Sequence, residues 1–259
     1  MSKENIFKLT AHAGEFVFQN KSAFKERLVI LFPLFLVMAL INHVATFYHE
    51  DRIVYLTGLP FLYIISCFSL AWHRVSLRGV DEPVRNPFVW EKGDGKFHAM
   101  FIGIMLLVLG FSSASEQATL YLEKSPNQVL VVIGSMASLI VLCAVLYYSV
   151  RLMFFLPAKS VGVTLSYEDI KRASKGSMLR FVFSTLLTSV TFILVMSIYL
   201  LIVTVVLQAS GASGEQTSLS SAFIAFFLSI PLYLSAFFYW AVNVTILSRL
   251  YNWGMQNNA

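Results

Sequence analysis

Six apolar stretches, separated by polar segments, organise this chain: Leu28–Phe47, Ile53–Trp72, Phe97–Ser113, Val129–Val150, Phe181–Leu207 and Ala222–Leu247. A helix rises about 1.5 Å per residue, so about 20 residues cross a hydrocarbon core of roughly 30 Å. Each stretch meets or approaches that length and is nearly free of ionisable side chains. The pattern predicts an all-α fold, a polytopic membrane bundle of six transmembrane helices over residues 28–259. An amphipathic N-terminal segment, residues 1–27, precedes it. The first stretch lies behind a polar segment, is too long for a signal-peptide core and has no small-residue cleavage site, so it reads as retained.

Helical periodicity also marks two segments outside the spans. Over residues 4–20, Ile6, Leu9, Ala13, Phe16 and Val17 share one face, while Glu4, Lys8, His12, Glu15 and Gln19 share the other. That apolar face either rests in the head-group layer or packs on the bundle. After Pro157 and Gly162, Ser166 is placed to cap a short helix with Glu168 and Asp169 in its first turn, beside the positive helix end. Ile170 and Ala173 would form its apolar side, and Lys171, Arg172 and Lys175 its basic side. It is predicted to lie along the membrane surface before Gly176 turns the chain into the fifth span.

Within the spans, Pro33, Pro60 and Pro231 predict kinks, each freeing a backbone carbonyl. Gly134 with Ser138, Ala225 with Ser229, and Gly103 with Gly110 predict close helix–helix approach. Tyr48, Tyr55, Trp72, Trp90, Tyr121, Tyr147, Tyr148, Trp240, Tyr251 and Trp253 crowd the span ends and read as an interfacial belt. Residues 208–219 read as a flexible connector, and Gly93-Asp94-Gly95 as a turn.

Charge orients the bundle. Of 19 Lys and Arg, all but Arg52 and Lys124 fall in residues 1–27, 73–96 and 151–180 and at Arg249, on one side of the predicted membrane. Positive residues in short loops stay in the cytoplasm, so both termini are expected there. The excess of positive charge implies attraction to anionic lipid head groups, and its spread over three loops gives no nucleic-acid module. Cys67 and Cys143 lie in predicted spans with no CxxC spacing, and read as single buried thiols without a disulfide or metal.

Candidate chemistry is sparse. Asn42 and His43, and Asn243, are polar groups inside spans, and interhelical hydrogen bonding explains them as well as proton handling does. His49, Glu50 and Asp51 offer oxygen and nitrogen ligands, but adjacent residues cannot converge on a cation without a further partner. Trp72-His73-Arg74 could cradle a lipid phosphate, with Arg74 as the fork and Trp72 as the interfacial plane, or simply anchor the span. Arg151, Lys159, Lys171, Arg172, Lys175 and Arg180 form the densest basic patch. No HExxH, GxSxG, P-loop or pair of helical carboxylates is present, so catalysis and cofactors are not expected.

The run from Val145 to Leu186, with Arg151, Pro157-Ala158, Ser166, Ala173, Gly176 and Arg180, resembles the junction between the fourth and fifth helices of a bacterial membrane-domain family. That family comprises the six-helix membrane domain attached to some glycerophosphodiester phosphodiesterases and its stand-alone inner-membrane relatives. The AWHR at residues 71–74 is similar to the stand-alone members. The resemblance implies the fold and a bacterial inner-membrane location. The phosphodiesterase chemistry belongs to a separate soluble domain, so no catalytic residue carries over.

Together these features predict a non-catalytic inner-membrane protein. It would act on a membrane protein partner or on anionic lipids through Trp72, Arg74, Arg151, Lys171, Arg172, Lys175 and Arg180. The alternative is a small-molecule or lipid permease with a pathway near Pro33, Pro60 and Pro231.

Overall fold

The computed structural model describes residues 5–48, 51–123, 128–209 and 219–257. Among these residues there are nine helices and no strand: α1 (Ile6–Gln19), α2 (Lys21–Phe47), α3 (Asp51–Arg78), α4 (Asp94–Glu123), α5 (Gln128–Met153), α6 (Phe155–Ser160), α7 (Tyr167–Ser174), α8 (Met178–Ala209) and α9 (Leu219–Asn257). Six segments are long and apolar enough to cross a membrane: those of α2, α3, α4, α5 with α6, α8 and α9. The chain is a multi-pass membrane protein. His49, Glu50, Lys124 and most of the 208–219 connector lie outside the described residues.

The helices run further than the apolar windows that betray them. α4 continues to Glu123, through Ser112, Ser113, Ser115 and Glu116, and α9 continues to Asn257. Helical hydrogen bonds do not need apolar side chains, so the windows mark where lipid is tolerated rather than where helices stop. Pro33, Pro60 and Pro231 sit inside continuous helices. The break at Phe154 falls just before Pro157, which supplies no N–H for a bond back to Met153.

α3 and α9 form the centre. In their most apolar windows 56% and 44% of residues are buried, against none for α5 and 6% for α8. Phe68 and Trp72 of α3, and Phe237, Ala241 and Ile246 of α9, are nearly or wholly inaccessible. Phe24 of α2 meets Phe68 and Trp72 edge-on, with ring centroids 5.8 Å apart in both pairs. α1 buries Leu9, Ala13 and Val17 in this same cluster and contacts α8 and α9, so its apolar side packs on the bundle.

Gly103 and Gly110 of α4 do not mark a close approach, since a side chain at either would meet nothing within 4 Å. The tight approach is instead at Gly254 of α9. A Cβ there would lie 2.8 Å from the carbonyl carbon of Ala173 and 3.0 Å from its Cα, so α7 docks directly on the α9 backbone.

Candidate functional site

The centre holds a polar seam with one recurring design. Ser66, Ser69, Thr245 and Ser248 each donate their hydroxyl proton to a carbonyl of their own helix three or four residues back. Each hydroxyl also pairs with a ring nitrogen on another helix. Trp72 Nε1 donates to Thr245 at 3.0 Å and Trp240 Nε1 to Ser69 at 2.6 Å, while His73 Nδ1 pairs with Ser248 at 2.8 Å and His98 Nδ1 with Ser66 at 2.6 Å. Back-bonding of this kind satisfies the hydroxyl locally and leaves its lone pairs as glue between helices, where apolar contact alone gives no advantage over lipid.

Near the basic end of the bundle, Arg74 of α3 donates through Nε to the Ser160 carbonyl at 2.9 Å and through Nη2 to Asp94 Oδ1 at 2.6 Å. Both side chains are about nine-tenths buried or more. Asp94 Oδ2 accepts the backbone N–H of Glu91, which fixes the start of α4. The segment between α3 and α4 folds back over this pair as a strap. Gly79 (φ +104°) and Gly93 (φ +109°) make its two bends in a backbone region closed to most side chains. Arg27 Nη2 holds the Glu82 carbonyl at 2.6 Å, Tyr63 donates to the Pro87 carbonyl, and Trp90 Nε1 donates to Tyr63 at 2.8 Å. Arg85 pairs with Glu82 and Glu91. The cavity beneath the strap is about 50 Å³ and its lining includes Arg27, Arg74, Arg85, Glu26, Glu82 and Asp94. Its charges cancel and it has room for little more than water.

A larger cavity, about 320 Å³, lies among α3, α4, α5, α8 and α9. Its walls are apolar, including Phe101, Ile104, Met105, Val150, Met153, Leu156, Phe181 and Val182, with Thr185, Tyr239 and Asn243 as scattered polar groups. Asn42, His43 and the three span prolines do not line it. The intramembrane polar residues are held in interhelical or local bonds. Asn42 accepts from Thr57, His43 Nδ1 donates to the Ala39 carbonyl, and Asn243 accepts from Thr188 and donates to the Tyr239 carbonyl.

The basic patch assembles around α7. Ser166 caps that helix through the Asp169 N–H, and the Asp169 carboxylate reaches back to the Ser166 N–H, a reciprocal capping box. Hydrogen bonds from Ser166, side chain first and then backbone, hold the Asp169 carboxyl below its ordinary range. Ile170 and Ala173 are buried, which turns Lys171, Arg172 and Lys175 outward. Glu168 and Asp169 partly offset them, at 3.7 Å from Lys171 and 2.7 Å from Arg172. Arg151 of α5 lies over the Tyr147 ring and donates to the hydroxyls of Tyr147 and, on α7, Tyr167. Arg180 of α8 lies over the Trp253 ring, 4.9 Å from its centroid. Four of the seven residues singled out from sequence thus belong to or touch one short helix, and Arg180 lies over Trp253, the neighbour of the Gly254 on which that helix docks.

The other two do not. Trp72 is wholly buried between Phe16, Phe24 and Phe68, with its N–H on Thr245, so it cannot serve as an interfacial plane. Tyr251 is likewise buried and Trp240 half-buried, while Tyr48, Trp90, Tyr121, Tyr147 and Tyr148 are exposed. Arg74 joins the buried pair with Asp94 rather than the patch. Cys67 is buried and Cys143 is exposed on α5, both as free thiols. Tyr55, Asp51 and Ala225 have side chains outside the described set. No family model matches the chain, and no curated protein or solved structure is similar to it.

Proposed function

We propose that this membrane protein is non-catalytic and binds anionic lipid head groups with the surface around α7, on the cytoplasmic side of a bacterial inner membrane. The observation that carries the reading is the docked, capped α7. It turns Lys171, Arg172 and Lys175 outward between Arg151 and Arg180, at the charged end of six lipid-crossing segments. Basic groups at a membrane surface each contribute about 1 kcal/mol toward anionic lipid. A fixed helix holds several of them in one plane, where a mobile loop would have to order first. The reading is tested by native mass spectrometry of the detergent-purified protein offered phosphatidylglycerol or phosphatidylcholine. Phosphatidylglycerol should be retained preferentially, and the triple variant Lys171→Gln/Arg172→Gln/Lys175→Gln should lose that preference. Equal retention by the two proteins would defeat it.

A further inference from the structure

The cavity of about 320 Å³ has no role in the head-group reading, and its size, lining and position suit an apolar chain. Binding sites for small molecules run from about 300 to 1,000 Å³ and are mainly apolar with a few polar groups, as here. Leu146 of α5 and Leu186 of α8 both line the cavity and are both exposed, at 45% and 53%, so its mouth lies between these two helices. Each residue sits inside a lipid-crossing segment. What stands at the mouth is therefore the hydrocarbon of the bilayer.

Register along the helices links this mouth to the basic patch. Leu186 is six residues from Arg180, and Leu146 five from Arg151. At the helical rise the mouth is about 9 Å and about 7.5 Å along the axis from the backbone positions of those two arginines. A half-bilayer core is about 15 Å deep, so the mouth opens in the leaflet next to the basic end, at the level of the upper acyl chain. Charge complementarity then selects the lipid. A head group drawn to Arg151, Arg180 and the α7 lysines and arginine would bear negative charge.

We infer that the cavity among α3, α4, α5, α8 and α9 is a lipid site that takes one acyl chain of an anionic phospholipid through the gap between Leu146 and Leu186. This inference rests on the head-group reading for the class of lipid, and adds where its chain goes. Trp240 lines the cavity and reports on it. The protein is reconstituted into vesicles of phosphatidylglycerol or phosphatidylcholine carrying one dibrominated stearoyl chain, and the emission contributed by Trp240 is taken as the difference from Trp240→Phe. Most of that emission should be quenched by the brominated phosphatidylglycerol and less by the brominated phosphatidylcholine. Thr185→Phe and, from the opposite wall, Val150→Phe fill the cavity and should restore it, whereas Val190→Phe on the outward face of α8 should not. Two fillers on different helices keep the test decisive if one of them impairs folding. Trp240 unquenched, equally quenched by both lipids, or quenched regardless of both fillers would overturn the inference. Retention of phosphatidylglycerol that depends on the α7 charges, with Trp240 unquenched, would remove the chain site and leave the head-group reading standing.

Discussion

Arg74 and Asp94 form an ion pair, Nη2 to Oδ1 at 2.6 Å, that joins α3 to the first turn of α4 with both side chains almost out of solvent. Burying two charges is costly, and removing one partner leaves the other without compensation, at roughly 3–5 kcal/mol. Asp94→Ala should lower stability by about that amount, read as the midpoint of unfolding in detergent micelles. Arg74→Lys should not rescue the fold, because an ammonium lacks the fork that meets Ser160 and Asp94 together. An unchanged midpoint for Asp94→Ala would remove the pair as a structural tie.

Gly254 and Ala173 give a second prediction. A methyl group at position 254 meets the backbone of α7, which cannot swing away as a side-chain tip can. Gly254→Ala should lower the melting temperature and expose residues 163–177 to protease. Gly103→Ala, with open space around it, should leave both unchanged or slightly improved, since alanine is the better helix former. Equal behaviour of the two variants would contradict the close docking of α7.

Acid should loosen the cap of α7. The Asp169 carboxyl is held below its ordinary 3.8 by Ser166. Its contribution is therefore fully present above the unfolded value and is lost as pH falls through the lower folded value. A carbon-13 titration of this carboxyl should show a pKa below 3.8 that returns toward it in Ser166→Ala. A midpoint at the ordinary value in both proteins would show that the capping box does not form.

Orientation is testable without a ligand. The seventeen-to-two partition of Lys and Arg predicts that both termini are cytoplasmic. A fluorescent protein fused after Ala259 should mature and fluoresce, and a periplasmic alkaline phosphatase fused there should be inactive. The reverse pattern would invert the bundle and with it the leaflet assigned to α7.

Much of this was legible in sequence, for identifiable reasons. The spans show because lipid excludes charge over some 20 residues, and α7 shows because Ser166, Glu168 and Asp169 precede an amphipathic turn. The polar seam did not show. Ser66, Ser69, Thr245 and Ser248 look like ordinary small residues in membrane helices. Their partners lie on other helices, as far away as His73 from Ser248, 175 residues in the chain. Trp72 and Trp240 resembled an interfacial belt because position near a span end was the only cue, and a helix end says nothing about which way a ring faces. Asp94 read as part of a glycine turn, and only the fold brings it to Arg74. The i, i+4 spacing of Asp94 and His98, at the same end of the bundle as His73-Arg74, was the one available hint. Gly103 and Gly110 misled for the converse reason, since small residues permit close approach without causing it.

The central claim is that the α7 surface binds anionic lipid, and a titration of phosphatidylglycerol against wild type and the triple variant Lys171→Gln/Arg172→Gln/Lys175→Gln tests it most directly. Three basic groups are each worth about 1 kcal/mol, less the offset from Glu168 and Asp169, and 1.4 kcal/mol is tenfold. The account predicts affinity at least about tenfold weaker in the variant and a wild-type affinity that falls with added salt. Equal affinities that ignore salt would contradict it.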